Sequence, residues 1–291
     1  MKGILNVYKE KNMTSHDVVA IVRGVSGIKR VGHTGTLDPL VTGVLPVCLG
    51  QATKLADYIS EQGKCYEGAL VFGQETDSLD LEGQVCYRSE RTSFSPDQIR
   101  SAMADFTGPI AQLPPMYSAV KHQGKRLYEL ARAGKTVERK SRNVEIYAFD
   151  LLEVTDQGIR FFCHCSKGTY IRQLVADLGR HLGSYATMTA LERTAVGPFR
   201  IEDAVPISRL RVMTKEALQA LLVPMGEACP HLPRVDLDQA AGQVARHGGR
   251  ATWPEALARE EGLHRIFDPD GFIGLGYYQA GAVQMKKVLT A

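Results

Sequence analysis

The order of its predicted elements makes this chain an α+β protein. Strand and helix signals come in mixed succession, without the regular β-α-β alternation of a doubly wound parallel sheet. Two further observations bound the architecture. With 291 residues, 44% of them hydrophobic, the chain is long enough to bury one large core and a smaller one. A proline-punctuated break at CPHLPRVD then reads as a linker, setting residues 1–230 apart from a shorter, strand-rich segment, 231–291.

Each element follows from local signals. The opening ILNVYKEKNMTSHDVVAIVRGVSG predicts a short strand, a loop, and a helix starting at Thr14-Ser15, whose hydroxyls can accept from the first backbone N–H groups. GHTGTLDPLVTG is a loop: Gly32, Gly35, Gly43 and the Asp38-Pro39 step exclude a regular helix, and Pro39 drives Asp38 toward an extended backbone. VLPVCLG suits a buried strand and QATKLADYISE a helix. Residues 64–88 predict two strands joined by an acidic loop with Asp77, Asp80 and Glu82. Those carboxylates lack calcium-loop spacing and read as a solvated turn. In SPDQIRSAMADFTG, Ser95 caps a helix, Pro96 opens it and Gly108 lies past its end.

VEIYAFDLLEV and GIRFFCHCSKG predict paired strands. Alternation on the second puts Cys163 and Cys165 on one face and His164 on the other, which fits buried thiols better than a metal cluster. In SKGTYIRQLVADLGRHLG, Ile171, Leu174, Val175, Leu178 and Leu182 form the buried stripe of a helix. Thr169 is its expected cap, and Tyr170 and Arg172 fall off the stripe at the first turn, where side chains can face a cleft. Beyond the linker come a strand, a short helix and further strands, with a turn at Asp270-Gly271.

Composition narrows the functional classes. No run of eighteen apolar residues occurs, and the first ten residues are too short in apolar run for a secretory signal, so a soluble cytoplasmic protein is expected. Six irregularly spaced cysteines without a C-x-x-C pair fit free thiols in a reducing compartment. A net charge of +3 does not mark a nucleic-acid binder, but residues 121–142 hold eight Lys and Arg against two Glu. That stretch is either a solvated surface or a phosphate-contacting patch. The glycine loop lacks the Gly-Lys-Ser/Thr of a phosphate-binding loop. What it offers is the carboxylate of Asp38, near His33, which by residue type alone is either a capping aspartate or a catalytic one.

Four motifs occur in order: RVGHTGTLDPLVTGVLPVCLGQATKL, KCYEGALVFGQETDSLDLEG, PPMYSAVKHQGKRLYELAR and HCSKGTYIRQLVADLG. Together they resemble the TruB family of bacterial-type tRNA pseudouridine synthases, over residues 3–205. The resemblance implies a mixed, largely antiparallel catalytic sheet with flanking helices. On the vaguer match of GFIGLGYYQAGAVQMKKVL, it also implies a small β-rich PUA-like RNA-binding domain, the alternative being a small stabilising β domain. It implies conversion of uridine 55 in the T loop of tRNA to pseudouridine after the base is flipped out.

By the same resemblance Asp38 is the catalytic aspartate, Tyr66 the tyrosine stacked on the target base, and Arg172 the arginine that pairs with the aspartate. His33 helps hold the RNA with its base turned out, Tyr170 and Leu191 line the uridine pocket, and Lys54 lies near that cleft. Read without it, Tyr66 is strand core, Leu191 packing and Arg172 a surface ion pair. The family opening Lys-Pro-x-Gly-x-Ser/Thr-Ser is here Lys9-Glu10-Lys11-Asn12-Met13-Thr14-Ser15, without the proline and the glycine, so loop stiffness near the RNA can differ.

The implied reaction breaks N1–C1′ of uridine, turns the uracil and rejoins it through C5. It involves no redox change and no net hydrolysis, so neither cofactor nor metal is implied. Asp38 can capture the sugar covalently, stabilise its charge or remove the C2′ proton, and must stay ionised, which calls for a guanidinium. The implied partner is the tRNA T arm, with no membrane, no obligatory protein partner, and a monomer. Two competing functions are an RNA chaperone that modifies nothing and a nucleosidase that releases free uracil.

Overall fold

The computed structural model describes residues 1–252 and 260–289. The fold is mixed α and β. The chain divides into two compact units, one made of residues 1–39, 44–62 and 196–291, the other of residues 40–43 and 63–195.

In the first unit the strand Gly3–Lys9 is buried at all but one position and pairs in parallel with Val205–Pro206. Thr14 caps the helix Ser15–Ser26: its Oγ1 accepts from the Asp17 N–H at 3.1 Å, and the Asp17 carboxylate accepts from the Thr14 N–H at 2.7 Å. This reciprocal box satisfies two N–H groups at the helix start. Val31–His33 runs antiparallel to the end of the strand Thr42–Leu49. QATKLADYIS, expected as one helix, is a 3-10 helix, Gly50–Leu55, followed by a short α-helix, Ala56–Ser60. The Ala56 N–H donates to Thr53 O, the tighter three-residue spacing that a short segment adopts readily.

The C-terminal part of this unit is a five-stranded sheet in the order Arg234–Asp236, Gly262–Asp268, Gly271–Gln279, Ala282–Val288, Arg250–Thr252, antiparallel except for its first pair. The turn expected at Asp270-Gly271 joins two of these strands. With the helix Gln239–Arg246 the sheet encloses Val235, Ala245, Ile266, Ile273 and Val283. Leu275 and Leu289 instead join Ile4, Val44, Leu55 and Phe199 in a second cluster. The C-terminal sheet therefore shares a core with the N-terminal strand. The proline stretch before it is tied down too, as Arg265 donates to Leu232 O (2.8 Å) and Gly226 O (2.9 Å).

The second unit is built on strands in the order Ala186–Val196, Lys64–Phe72, Gly158–Cys165, Arg142–Thr155, Gly108–Gln112. The last four pair antiparallel. Thr42 and Gly43 add in parallel to Glu192 and Arg193. Glycine is required there, since a Cβ on Gly43 would stand 2.2 Å from Arg193 O. Ser95 caps the helix Pro96–Ala104 in a box with Gln98. Cys163 and Cys165 point to the buried face, while His164 on the other side lies 4.7 Å from the Tyr147 ring.

The helix Ile171–His181 buries Ile171, Leu174, Val175 and Leu178 as its spacing predicts. Two expectations about its start fail. Tyr170, not Thr169, occupies the cap position, with no side-chain cap bond, and Thr169 Oγ1 donates backward to Ser166 O at 3.0 Å. Arg172 is buried with the stripe rather than lying off it, because the helix's first turn is enclosed on more sides than an amphipathic pattern assumes. Among the described residues, no helix is long and apolar enough to cross a membrane.

Candidate active site

In the first unit, half-buried Asp38 is framed by two pinned neighbours. Ser15 Oγ accepts from the Leu37 N–H at 2.9 Å and donates to Leu37 O at 3.2 Å. Pro39 O accepts from the Asn12 N–H at 2.9 Å and from Lys9 Nζ at 3.2 Å. Lys9 is fully buried, and its ammonium also donates to Met13 O (2.8 Å) and Glu10 O (2.9 Å). Three carbonyls thus take up its three donors, which is how a buried ammonium is tolerated. The loop's lost glycine is made good locally: Asn12 has φ 64°, the left-handed conformation that asparagine adopts more readily than most side chains. His33 meets the His16 ring edge-on at 5.6 Å. Lys54 Nζ reaches Gln51 Oε1 at 3.4 Å.

In the second unit, Tyr66 and Arg172 are both buried. Arg172 Nη1 donates to Ser78 O at 2.8 Å and Nη2 to Tyr117 O at 2.9 Å, while the Asp80 carboxylate lies 3.5 Å from Nη1. Asp80 accepts from Ser78 Oγ at 2.5 Å and from the Glu82 N–H at 3.1 Å. The acidic loop, read as solvated, is so only at Asp77 and Glu82: Asp80 is 7% exposed. Arg172 is accordingly a buried ion pair, not a surface one. Tyr170 is fixed by a buried amide, its N–H donating to Gln112 Oε1 at 2.8 Å and its carbonyl accepting from Gln112 Nε2 at 3.1 Å. Leu191 is half-buried on the strand Ala186–Val196, two residues before Arg193.

Electrostatics in this unit centre on Tyr66. Burial pushes its phenol up to about 12, while the Arg193 guanidinium, hydrogen-bonded to it, pulls the other way. Burial, with Arg193 adding to it, brings Lys64 down to about 8. The Cys165 thiol is lowered by a hydrogen bond with Cys163, helped by Thr169, Lys64 and Arg193. Sequence reasoning passed over Asp80, Gln112 and Arg193 as site-builders. Lys9 stood in a quoted motif, yet nothing in its spacing signals burial. Among the described residues, no group of three or more His, Cys, Asp or Glu is placed to hold a metal.

The basic stretch forms two short strands, Lys121–His122 and Lys125–Arg126, and the helix Leu127–Arg132. Leu127 is its buried anchor, and Lys121, Lys125, Arg126, Lys135, Lys140 and Arg142 are exposed. Arg139 instead donates to Pro114 O at 2.9 Å.

Residues 23–171 match the family described as TruB family pseudouridylate synthase (N terminal domain), and residues 172–229 match the tRNA pseudouridylate synthase B C-terminal domain. The chain is 40% identical over 292 residues to the tRNA pseudouridine synthase B of Clostridium tetani, covering 100% of both chains. It is 42% identical over 279 residues to that of Geobacillus kaustophilus, covering 93% of this chain and 98% of the other. Among solved structures it resembles a chain of the archaeal box H/ACA sRNP Nop10-Cbf5 complex, with TM-score 0.75 and 27% identity over 99% of this chain and 86% of that one. A chain of an H/ACA RNP bound to a substrate RNA containing 2′-deoxyuridine gives TM-score 0.77 and 26% identity, over 99% and 85%.

Proposed function

This chain belongs to the TruB family of pseudouridine synthases, and from that premise we propose that it isomerises uridine 55 in the T loop of tRNA, using Asp38 to break and re-form the glycosidic bond. The observation that carries the role of Asp38 is its clamped loop. Ser15 holds Leu37, and Lys9 and Asn12 hold Pro39, so the one carboxylate between them is presented on a fixed backbone. Such preorganisation is what a group reacting at a developing sugar cation needs.

We assign Arg172 the role of the arginine that pairs with this aspartate; its five N–H donors allow one side chain to serve more than one acceptor. Tyr66 supplies an aromatic face for the flipped uracil, Tyr170 and Leu191 line its pocket, and His33 and Lys54 help hold the RNA. Flipping a base costs a few kcal/mol, which phosphate contacts from the exposed cations of residues 121–142 can offset. We further assign residues 1–230 to catalysis and residues 231–291 to a PUA-like RNA-binding module, in a monomer acting in the cytoplasm, a compartment that suits its free thiols.

The test is a map of pseudouridines in tRNA from cells lacking the gene. Position 55 is expected to lose its mark, to regain it with the wild-type chain and not with Asp38→Asn. A mark retained at 55 but lost elsewhere overturns the position. An active Asp38→Asn chain overturns the mechanism.

A further inference from the structure

Arg193 is 1% exposed and among the largest fully buried side chains of the protein. A guanidinium in such a place is costly unless neighbouring groups compensate it. The groups that act on its charge are the Tyr66 phenol, to which it is hydrogen-bonded, and the Cys165 thiol. Its backbone is locked as well: Gly43, at φ 104°, lies so close that a Cβ there would meet Arg193 O at 2.2 Å and Arg193 N at 2.8 Å. The strand Ala186–Val196 neighbours Lys64–Phe72 in the sheet, and alternation puts Arg193 on the same strand face as Leu191.

Resting on the isomerase reading above, we propose that Arg193 is a positioning residue for the last chemical step: it holds the Tyr66 oxygen and offsets the negative charge that develops there as the C5 proton is removed. Once uracil has rejoined the sugar through C5, that carbon carries both the new C1′ bond and its original hydrogen. Rearomatisation requires the C5 proton to leave and N1 to gain one. Tyr66 balances both if its O–H proton passes to N1 while the C5 proton replaces it, so the phenol is regenerated and nothing is consumed. Midway the phenol oxygen bears negative charge in a buried setting, where a fixed guanidinium is worth far more than in water. Cys163 and Cys165 also border this group, but Arg193 is the cation bonded to it.

The experiment compares the wild-type, Arg193→Lys and Arg193→Met full-length chains in single-turnover pseudouridine formation on tRNA carrying protium or deuterium at C5 of the target uridine. Arg193→Met is expected to slow turnover about 100-fold, the usual loss when one donor to a developing oxyanion is removed. It is also expected to show a C5 isotope effect larger than that of wild type, with Arg193→Lys between the two. Because the isotope effect is a ratio within one protein, a smaller folded fraction leaves it unchanged. A slowed Arg193→Met chain with a wild-type isotope effect overturns the proposal, as does an unslowed one. A wild-type chain that makes no pseudouridine overturns the isomerase reading instead.

Discussion

Asp80 and Asp268 are both buried beside an arginine, and they are held in opposite ways. Arg246 grips Asp268 as a fork, Nε donating to Oδ2 at 2.6 Å and Nη2 to Oδ1 at 2.5 Å, and Asp268 also accepts from the Asp270 N–H at 3.0 Å. Arg172 spends its short bonds on the carbonyls of Ser78 and Tyr117, and Asp80 stands off at 3.5 Å. A guanidinium closed onto one carboxylate from two sides is committed to that carboxylate. One that bonds two neutral carbonyls besides facing a carboxylate is fixed in position by several groups at once. The first arrangement closes on a single partner, and the second spreads one guanidinium over three groups.

The largest expected effect separates the two directly. Arg172→Lys keeps the charge but cannot reach two carbonyls with a planar fork, so it should lower the single-turnover rate of pseudouridine formation about 100- to 1,000-fold. Its tRNA affinity, read by filter binding, should stay close to wild type. Arg246→Lys should leave that rate within about twofold, in line with a pair that only stabilises. Equal losses in both would dissolve the distinction.

The sequence reveals this contrast unevenly. Asp38 stands in a motif whose turn chemistry is local, and the Pro39 step shapes its backbone from the next residue, although the Ser15 clamp on Leu37 comes from 22 positions away. Asp80 and Arg172 are far apart in the chain, and local pattern places the first in a solvated loop and the second off the buried stripe; tertiary enclosure overrides both. Lys9, Gln112 and Arg193 carry no pattern at all, because a lone polar residue in a strand reads as surface until its partners are known. The short segment 50–60 shows the same limit for secondary structure: propensity does not separate three-residue from four-residue hydrogen bonding over two turns.

A smaller effect should appear in stability rather than rate. Arg246→Met leaves Asp268 buried without its fork and should cost about 3 kcal/mol in urea unfolding at pH 7, the low end for breaking a buried pair because the Arg246 side chain is 21% exposed. Single-turnover rates at saturating tRNA should not change. A variant as stable as wild type would mean the fork adds nothing beyond what water supplies.

The smallest effect is a pH dependence of that same loss. The Arg246 hydrogen bonds, together with its charge and the N–H groups of Asp270 and Gly271, hold the Asp268 carboxyl below its ordinary value of 3.8. A carboxylate lowered in the folded state binds fewer protons there than when unfolded. Its stabilisation is therefore complete above the unfolded value and is lost as pH falls through the folded one. The gap in unfolding free energy between wild type and Arg246→Met should then be constant from pH 7 to pH 5 and narrow below pH 4. Urea unfolding at pH 7, 5, 4 and 3 measures it, with Asp268→Asn as the control whose stability lacks this carboxyl's titration. A gap that instead widened on acidification would show that Arg246 acts through some other group, and the committed pair would lose its place in the comparison.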